Sequence, residues 1–150
     1  LLWVHPDRNG VLDLDTQLGA LGEEIAMGRY GELVYAGESV IDKHLNWKLA
    51  NDTFGETWHF QKLHAKTLGR LFYGDNLAYE TFGRNHRFVF ASRMIDQLRD
   101  RPKSEWRLKQ AANLLYYLFP NVQFNVGLGG NVSLIRIYPH PEDPGRSITR

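Results

Sequence analysis

The sequence predicts an α+β domain, an antiparallel sheet with helices packed on one side. Three observations carry this. Three β-rich runs near the C-terminal end, Leu114–Phe119, Val122–Leu128 and Val132–Tyr138, are separated by Pro120-Asn121 and Gly129-Gly130, the pattern of an antiparallel meander. Asn46–His64 sets Trp47, Ala50, Phe54 and Trp58 at helical spacing. A chain of 150 residues with 43% apolar content can bury one core of ordinary size, so 1–150 reads as a single domain.

In order, Leu1–His5 reads as a short strand closed by Pro6 and the turn-forming Asp7–Gly10. Asp13 or Asp15 offers a cap for a helix through about Met27, with Gly28 and Gly31 ending it. Glu32–Asn46 mixes Val, Ile and Tyr with polar residues and reads as one or two strands. The Asn46–His64 helix follows. Ala65–Glu80, with aromatics around Gly74 and Asn76, reads as loop with short helical pieces. Arg87–Arg93 is a strand, and Met94–Asp100 a short helix stopped near Pro102. Ser104 through the alanines at 111 and 112 is another helix, and after the meander His140–Gly145 turns into a last strand.

Composition excludes several classes. The net charge of +1 argues against an electrostatic nucleic-acid binder, and the basic cluster Arg99–Lys109 reads as solvated surface. The absence of cysteine removes disulfides, thiolate zinc, cysteine nucleophiles and any iron–sulfur cluster held by these residues alone. No apolar run approaches the ~20 residues of a membrane span, so a cytoplasmic protein is the default expectation. The opening LLWVH and the closing GRSITR both look cut from a larger protein.

Chemistry concentrates in Asn46–His64. On a regular helix Asp52, Glu56 and His59 share the side opposite the apolar face. His64 does not join them. Five residues turn a helix by about 500°, which leaves the His59 and His64 rings about 140° apart unless the helix bends, bulges or ends between them. On residues alone, metal ligation and an ordinary polar or core role both stay open for this pair. His5, His44, His86 and His140 read as structural, and the four tryptophans as core or interface.

Three stretches carry a resemblance: LLWVHPD at the start, NWKLANDTFGETWHFQKLH in the middle, and YLFPNVQFNVGLGGNVSLIRIYP near the end. They resemble the catalytic domain of the Rieske-type non-haem iron oxygenases, the α subunits of aromatic-ring hydroxylases. The first is similar to the strand leaving the Rieske domain. The second joins that family's NWK entry to its acid-x-x-His-x4-His motif, and the third resembles its sheet strands with the FPN turn. The resemblance implies a helix-grip (START-like) fold, a curved antiparallel sheet around a long helix. It implies that His59 and His64 are the two histidine ligands of a mononuclear Fe(II). Glu56 then matches the acid, commonly Asp in the family, that bridges to the [2Fe-2S] Rieske cluster of a neighbouring subunit. The third ligand, a carboxylate, is expected beyond Arg150, and the Rieske ligands before Leu1. A homotrimer, with or without a β subunit, and a reductase or ferredoxin electron donor are also implied.

Two imidazoles and one carboxylate on one face of Fe(II) leave positions open where O2 and a substrate can meet. The expected reaction is therefore mono- or dioxygenation of an aromatic or other apolar organic molecule. Phe72, Tyr73, Phe88, Phe90 and Phe124 are candidates to line its pocket. Asp52, one turn before Glu56, is a further candidate for the catalytic machinery. The 150 residues alone are expected to bind iron weakly and to be inactive. Two other classes share parts of the pattern: a metal-free START-like binding domain, and a zinc hydrolase using Glu56, His59 and His64 together.

Overall fold

Seven strands, β1 (Ile41–Lys43), β2 (Phe72–Phe82), β3 (Asn85–Ser92), β4 (Ala112–Leu118), β5 (Val122–Val126), β6 (Val132–Pro139) and β7 (Ser147–Thr149), pair antiparallel in the order β1-β7-β6-β5-β4-β3-β2. They are seen in a computed structural model that describes residues 3–150. The helices are short: α1 (Leu14–Leu18), α2 (Ala20–Met27), α3 (Trp47–Asp52), α4 (Leu68–Leu71) and α5 (Leu108–Ala111), with 3-10 turns between them. The α+β class and the antiparallel sheet stand as predicted.

The sheet is covered on both faces, not one. Side chains alternate across a strand, so β4 feeds two cores, joined by β5 in one and by β3 in the other. Tyr116, Leu118 and Phe124 pack against Leu18, Leu21 and Ile25 of α1 and α2. Phe88, Phe90 and Leu115 face the other way, onto Phe60 and Phe72. The first core carries a polar tie. Glu24 on α2 accepts from the Tyr116 hydroxyl at 2.8 Å and from Arg87, which also reaches Glu80. Burial pushes the Tyr116 phenol far up, and the Glu24 carboxylate pushes it further.

Local chemistry explains where the expected elements changed. Asp13 does cap α1, its carboxylate accepting from Thr16 N–H at 3.0 Å. Gly19, at φ 54°, then splits the expected helix into α1 and α2. Of the strand expected at the N-terminus, Leu1 and Leu2 lie outside the described residues and Trp3 to His5 form none. The stretch 32–46 yields only the three residues of β1.

The stretch 65–80 is half strand. Gly74, Asp75 and Asn76, which read as loop, fall in a register break of β2 between Phe72↔Ser92 and Leu77↔Phe90. The helix expected at 94–100 is a 3-10 turn at Arg93–Leu98. That at 104–112 is a 3-10 turn and the single turn α5, because Ala112 already belongs to β4. The meander β4–β5–β6 and the turn into β7 lie where the alternation put them.

The largest correction is at 46–64, which is not one long helix. Asn46 caps α3 by accepting from Lys48 N–H at 2.9 Å. The helix unwinds after Asp52, where Phe54 and Gly55 N–H turn back onto Asn51 and Asp52 carbonyls. Thr57 then donates its hydroxyl to Gly74 O on β2 at 3.1 Å, and a 3-10 turn follows at Trp58–Gln61. Trp58, expected on the apolar face, is 78% exposed because the break rotates it out of register with α3.

Tyr116→Phe leaves one Glu24 oxygen facing the core without its donor. We expect a loss of about 1–3 kcal/mol in unfolding free energy, read from urea denaturation.

Candidate metal centre

His59 and His64 lie on one side of the broken segment. Their ring centroids are 5.3 Å apart, with ring planes at 67°. Two imidazoles meeting at one ion through metal–nitrogen bonds of about 2.1 Å have centroids roughly 5 Å apart, so the spacing fits a shared ion. A regular helix would have parted them. Here the His59 carbonyl accepts from Lys62 N at 3.1 Å, Leu63 N at 2.7 Å and His64 N at 3.4 Å. The turn widens from i+3 to i+5 contacts, and a widened turn carries the fifth residue back over the first. His64 is held in turn by its carbonyl, which accepts from Thr67 N and Gly69 N at 2.9 Å each.

Glu56 fixes the first imidazole. One carboxylate oxygen accepts from the His59 backbone N–H at 3.2 Å, and the other contacts His59 Nδ1. With Nδ1–H turned to the carboxylate, Nε2 presents its lone pair. Burial pushes the Glu56 carboxyl up, but hydrogen bonds from the His59 side chain and backbone outweigh it, and the net shift is downward.

Glu56, His59 and His64 line one cavity of about 250 Å³ between the broken segment and the sheet. Phe54, Phe60, Phe72, Leu77, Phe90, Leu115 and Ile135 give it apolar walls, with Asn113 and Asn125 on the sheet side. Of the expected pocket aromatics, Phe72 and Phe90 line it and Phe88 packs in the core beside it. Phe124 belongs to the opposite face of the sheet, and Tyr73 donates to Asp96 over a separate surface cleft. Asp52 ends α3, is exposed, and does not line the cavity, because the helix that would have aligned it with Glu56 stops there.

Phe54, Phe60, Asn113 and Asn125 were missed. The alternation in β5 was visible in the sequence, but which face of it met the histidines was not. Among the described residues no three His, Cys, Asp or Glu are grouped to hold a metal ion. The centre thus offers two imidazoles and an orienting carboxylate. The three-ligand site a zinc hydrolase would need is not formed by these residues.

Gly69 and Gly74 let the pieces close on one another. A Cβ on Gly69 would stand 2.6 Å from the Phe60 carbonyl oxygen, and one on Gly74 3.1 Å from that of Thr57.

Residues 30–149 match the family model described as the ring hydroxylating alpha subunit (catalytic domain). No curated protein sequence matches the chain. Three solved structures of a quaternary ammonium Rieske monooxygenase, CntA, share its fold. One, bound to the inhibitor MMV12, has a TM-score of 0.72 at 19% identity and covers 95% of this chain and 36% of its own. A second, concerned with carnitine oxidation by gut microbiota and inter-subunit electron transfer, gives 0.73 at 19% identity, covering 95% and 37%. The third, bound to its substrate L-carnitine, gives 0.68 at 18% identity, covering 95% and 35%. The chain therefore spans little more than a third of the length of these structures. No helix among the described residues is long and apolar enough to cross a membrane.

Two outcomes follow from this geometry. Gly69→Ala pushes the backbone of the histidine segment away from α4, so affinity for a divalent metal should fall about tenfold or more in calorimetric titration. The Glu56 carboxyl should titrate below the ordinary 4.5 in a carbon-detected NMR series. Because its folded value is depressed, the stability it contributes is present above the unfolded value and is lost as the pH falls through the folded one.

Proposed function

The chain belongs to the ring hydroxylating alpha subunit family, through its catalytic domain, and from that premise we propose that it contributes the mononuclear iron site of a Rieske-type oxygenase. The observation that carries the reading is the meeting of His59, His64 and Glu56 at one apolar cavity, achieved against the helical offset of the two histidines. His59 Nε2 and an imidazole nitrogen of His64 would hold Fe(II). A carboxylate supplied from outside the described residues would complete a 2-His-1-carboxylate set. Fe(II) so held supplies reductive activation of O2.

The chain's own residues do the rest. Glu56 keeps the His59 proton on Nδ1 and sets the ring's angle. The phenylalanine walls exclude water and hold an apolar ring beside the imidazoles. The reaction is O2-dependent mono- or dioxygenation of a small aromatic or other apolar molecule.

Electrons would come from a [2Fe-2S] Rieske cluster of the full-length protein, charged by a reductase or ferredoxin. Glu56 is 41% exposed at its side chain, so it can face a partner surface while touching His59. That supports its proposed role as the bridge from a neighbouring subunit's cluster, in an assembly we take to be a homotrimer. The inter-subunit electron transfer described for the CntA structure is consistent with such an arrangement. A cytoplasmic location is proposed with it.

His59→Ala and His64→Ala should each abolish stoichiometric Fe(II) uptake at the mononuclear site of the native protein, measured by metal analysis after the cluster's iron is subtracted. Glu56→Gln should keep that iron while product formation falls about 10–100-fold. Full iron loading in the double histidine variant would sink the proposal. A protein that binds an apolar ligand and never takes up this iron would instead be a metal-free binding domain.

A further inference from the structure

Resting on that reading of the cavity as the substrate chamber, we propose that Asn113 and Asn125 select a one-ring substrate bearing a neutral carboxamide-type group, with a carbonyl and an N–H side by side. The two side chains join on the sheet wall, Asn113 Nδ2 donating to Asn125 Oδ1 at 2.6 Å and to Leu114 O at 3.3 Å. Two primary amides linked by one hydrogen bond keep one carbonyl and one NH2 group uncommitted, whichever way round each amide is set. As placed, these are Asn113 Oδ1 and Asn125 Nδ2, neither with a protein partner among the described residues. The sealed polar atoms without partners among the described residues are Arg87 Nε, Gln123 Oε1 and Arg136 Nε. The spare amide groups are not among them, and both residues line the cavity.

Three further features narrow the ligand. A dry cavity of about 150 Å³ is enough for benzene, whereas drug-sized ligands occupy about 300–1,000 Å³. At about 250 Å³ this cavity takes one ring and a substituent of a few atoms. Its walls include Phe54, Phe60, Phe72 and Phe90, which suit a flat ring. No Lys or Arg lines it among the described residues, so the iron proposed at His59 and His64 would be the one counter-charge for a carboxylate, and at the asparagine pair a carboxylate would face the spare carbonyl with no N–H to offer it. A carboxamide meets the vacant carbonyl with its N–H and the vacant NH2 with its oxygen. A bare hydrocarbon leaves both unsatisfied.

Calorimetric titration of the native protein with benzamide, benzoate, toluene and L-carnitine tests this. Benzamide should bind about tenfold or more tighter than each of the others. In Asn125→Leu the benzamide-to-toluene affinity ratio should fall to near one. Circular dichroism establishes that the variant is folded; should it not fold, the order of the four ligands on the unsubstituted protein decides alone. Toluene, benzoate or L-carnitine binding as tightly as benzamide would overturn the proposal, as would a folded Asn125→Leu that keeps the preference. The oxygenase reading fails separately. A protein that prefers benzamide but takes up no iron through His59 and His64 keeps the amide site and loses the oxygenase.

Discussion

One backbone oxygen holds the centre together. The His59 carbonyl gathers the N–H groups of Lys62, Leu63 and His64, at steps of three, four and five residues. A straight helix allows only the four-residue step, from Leu63, and would send the two imidazoles to different sides. Everything chemically interesting depends on this local widening. It lets His59 and His64 face one cavity, and it leaves Glu56, on the turn before, to bond both the backbone and the ring of His59. The widening is affordable because the ends are anchored elsewhere, by Thr57 on Gly74 of β2 and by the His64 carbonyl on Thr67 and Gly69.

The sheet works as a partition. On one face α1 and α2 seal a core of Leu21, Tyr116 and Phe124, tied by Glu24 to Tyr116 and Arg87. On the other, the same strands present Phe90, Leu115, Asn113 and Asn125 to the cavity. The first core and the cavity are thereby separated by one layer of backbone. The register break in β2 makes room on the second face. Its glycine at 74 accepts the close approach of Gln61 and Thr57, which a side chain would block.

Particular residues show how far the sequence could be read. The meander was legible because Gln123, Asn125 and Gly127 alternate with apolar residues, and a period of two is a local property. The His59–His64 pair and Glu56 were legible through a resemblance of motif, since helical periodicity spoke against a shared ion. β2 was hidden because its loop-like Gly74-Asp75-Asn76 lies inside the strand, where the break uses it. Asp52 and Trp58 were placed by extrapolating one helix past the point where it ends. Gly55 was the one local signal of a break, and no proline or glycine marks the widening between His59 and His64.

By itself, then, the order of residues determined the class of fold, the last strands with their turns, and which side chains are candidates for the site. Patterning, turn chemistry and motif spacing act over a few residues and need no partner. Tertiary structure alone decided that the stretch carrying the two histidines is broken and that both sheet faces are covered. It also decided that Asn113 and Asn125 look toward the histidines while Phe124 looks away. Those outcomes rest on contacts between segments far apart in the chain, such as Thr57 with Gly74 and Gln123 with Asn51. Such contacts exist only once the sheet has formed and one of its faces has closed over the cavity.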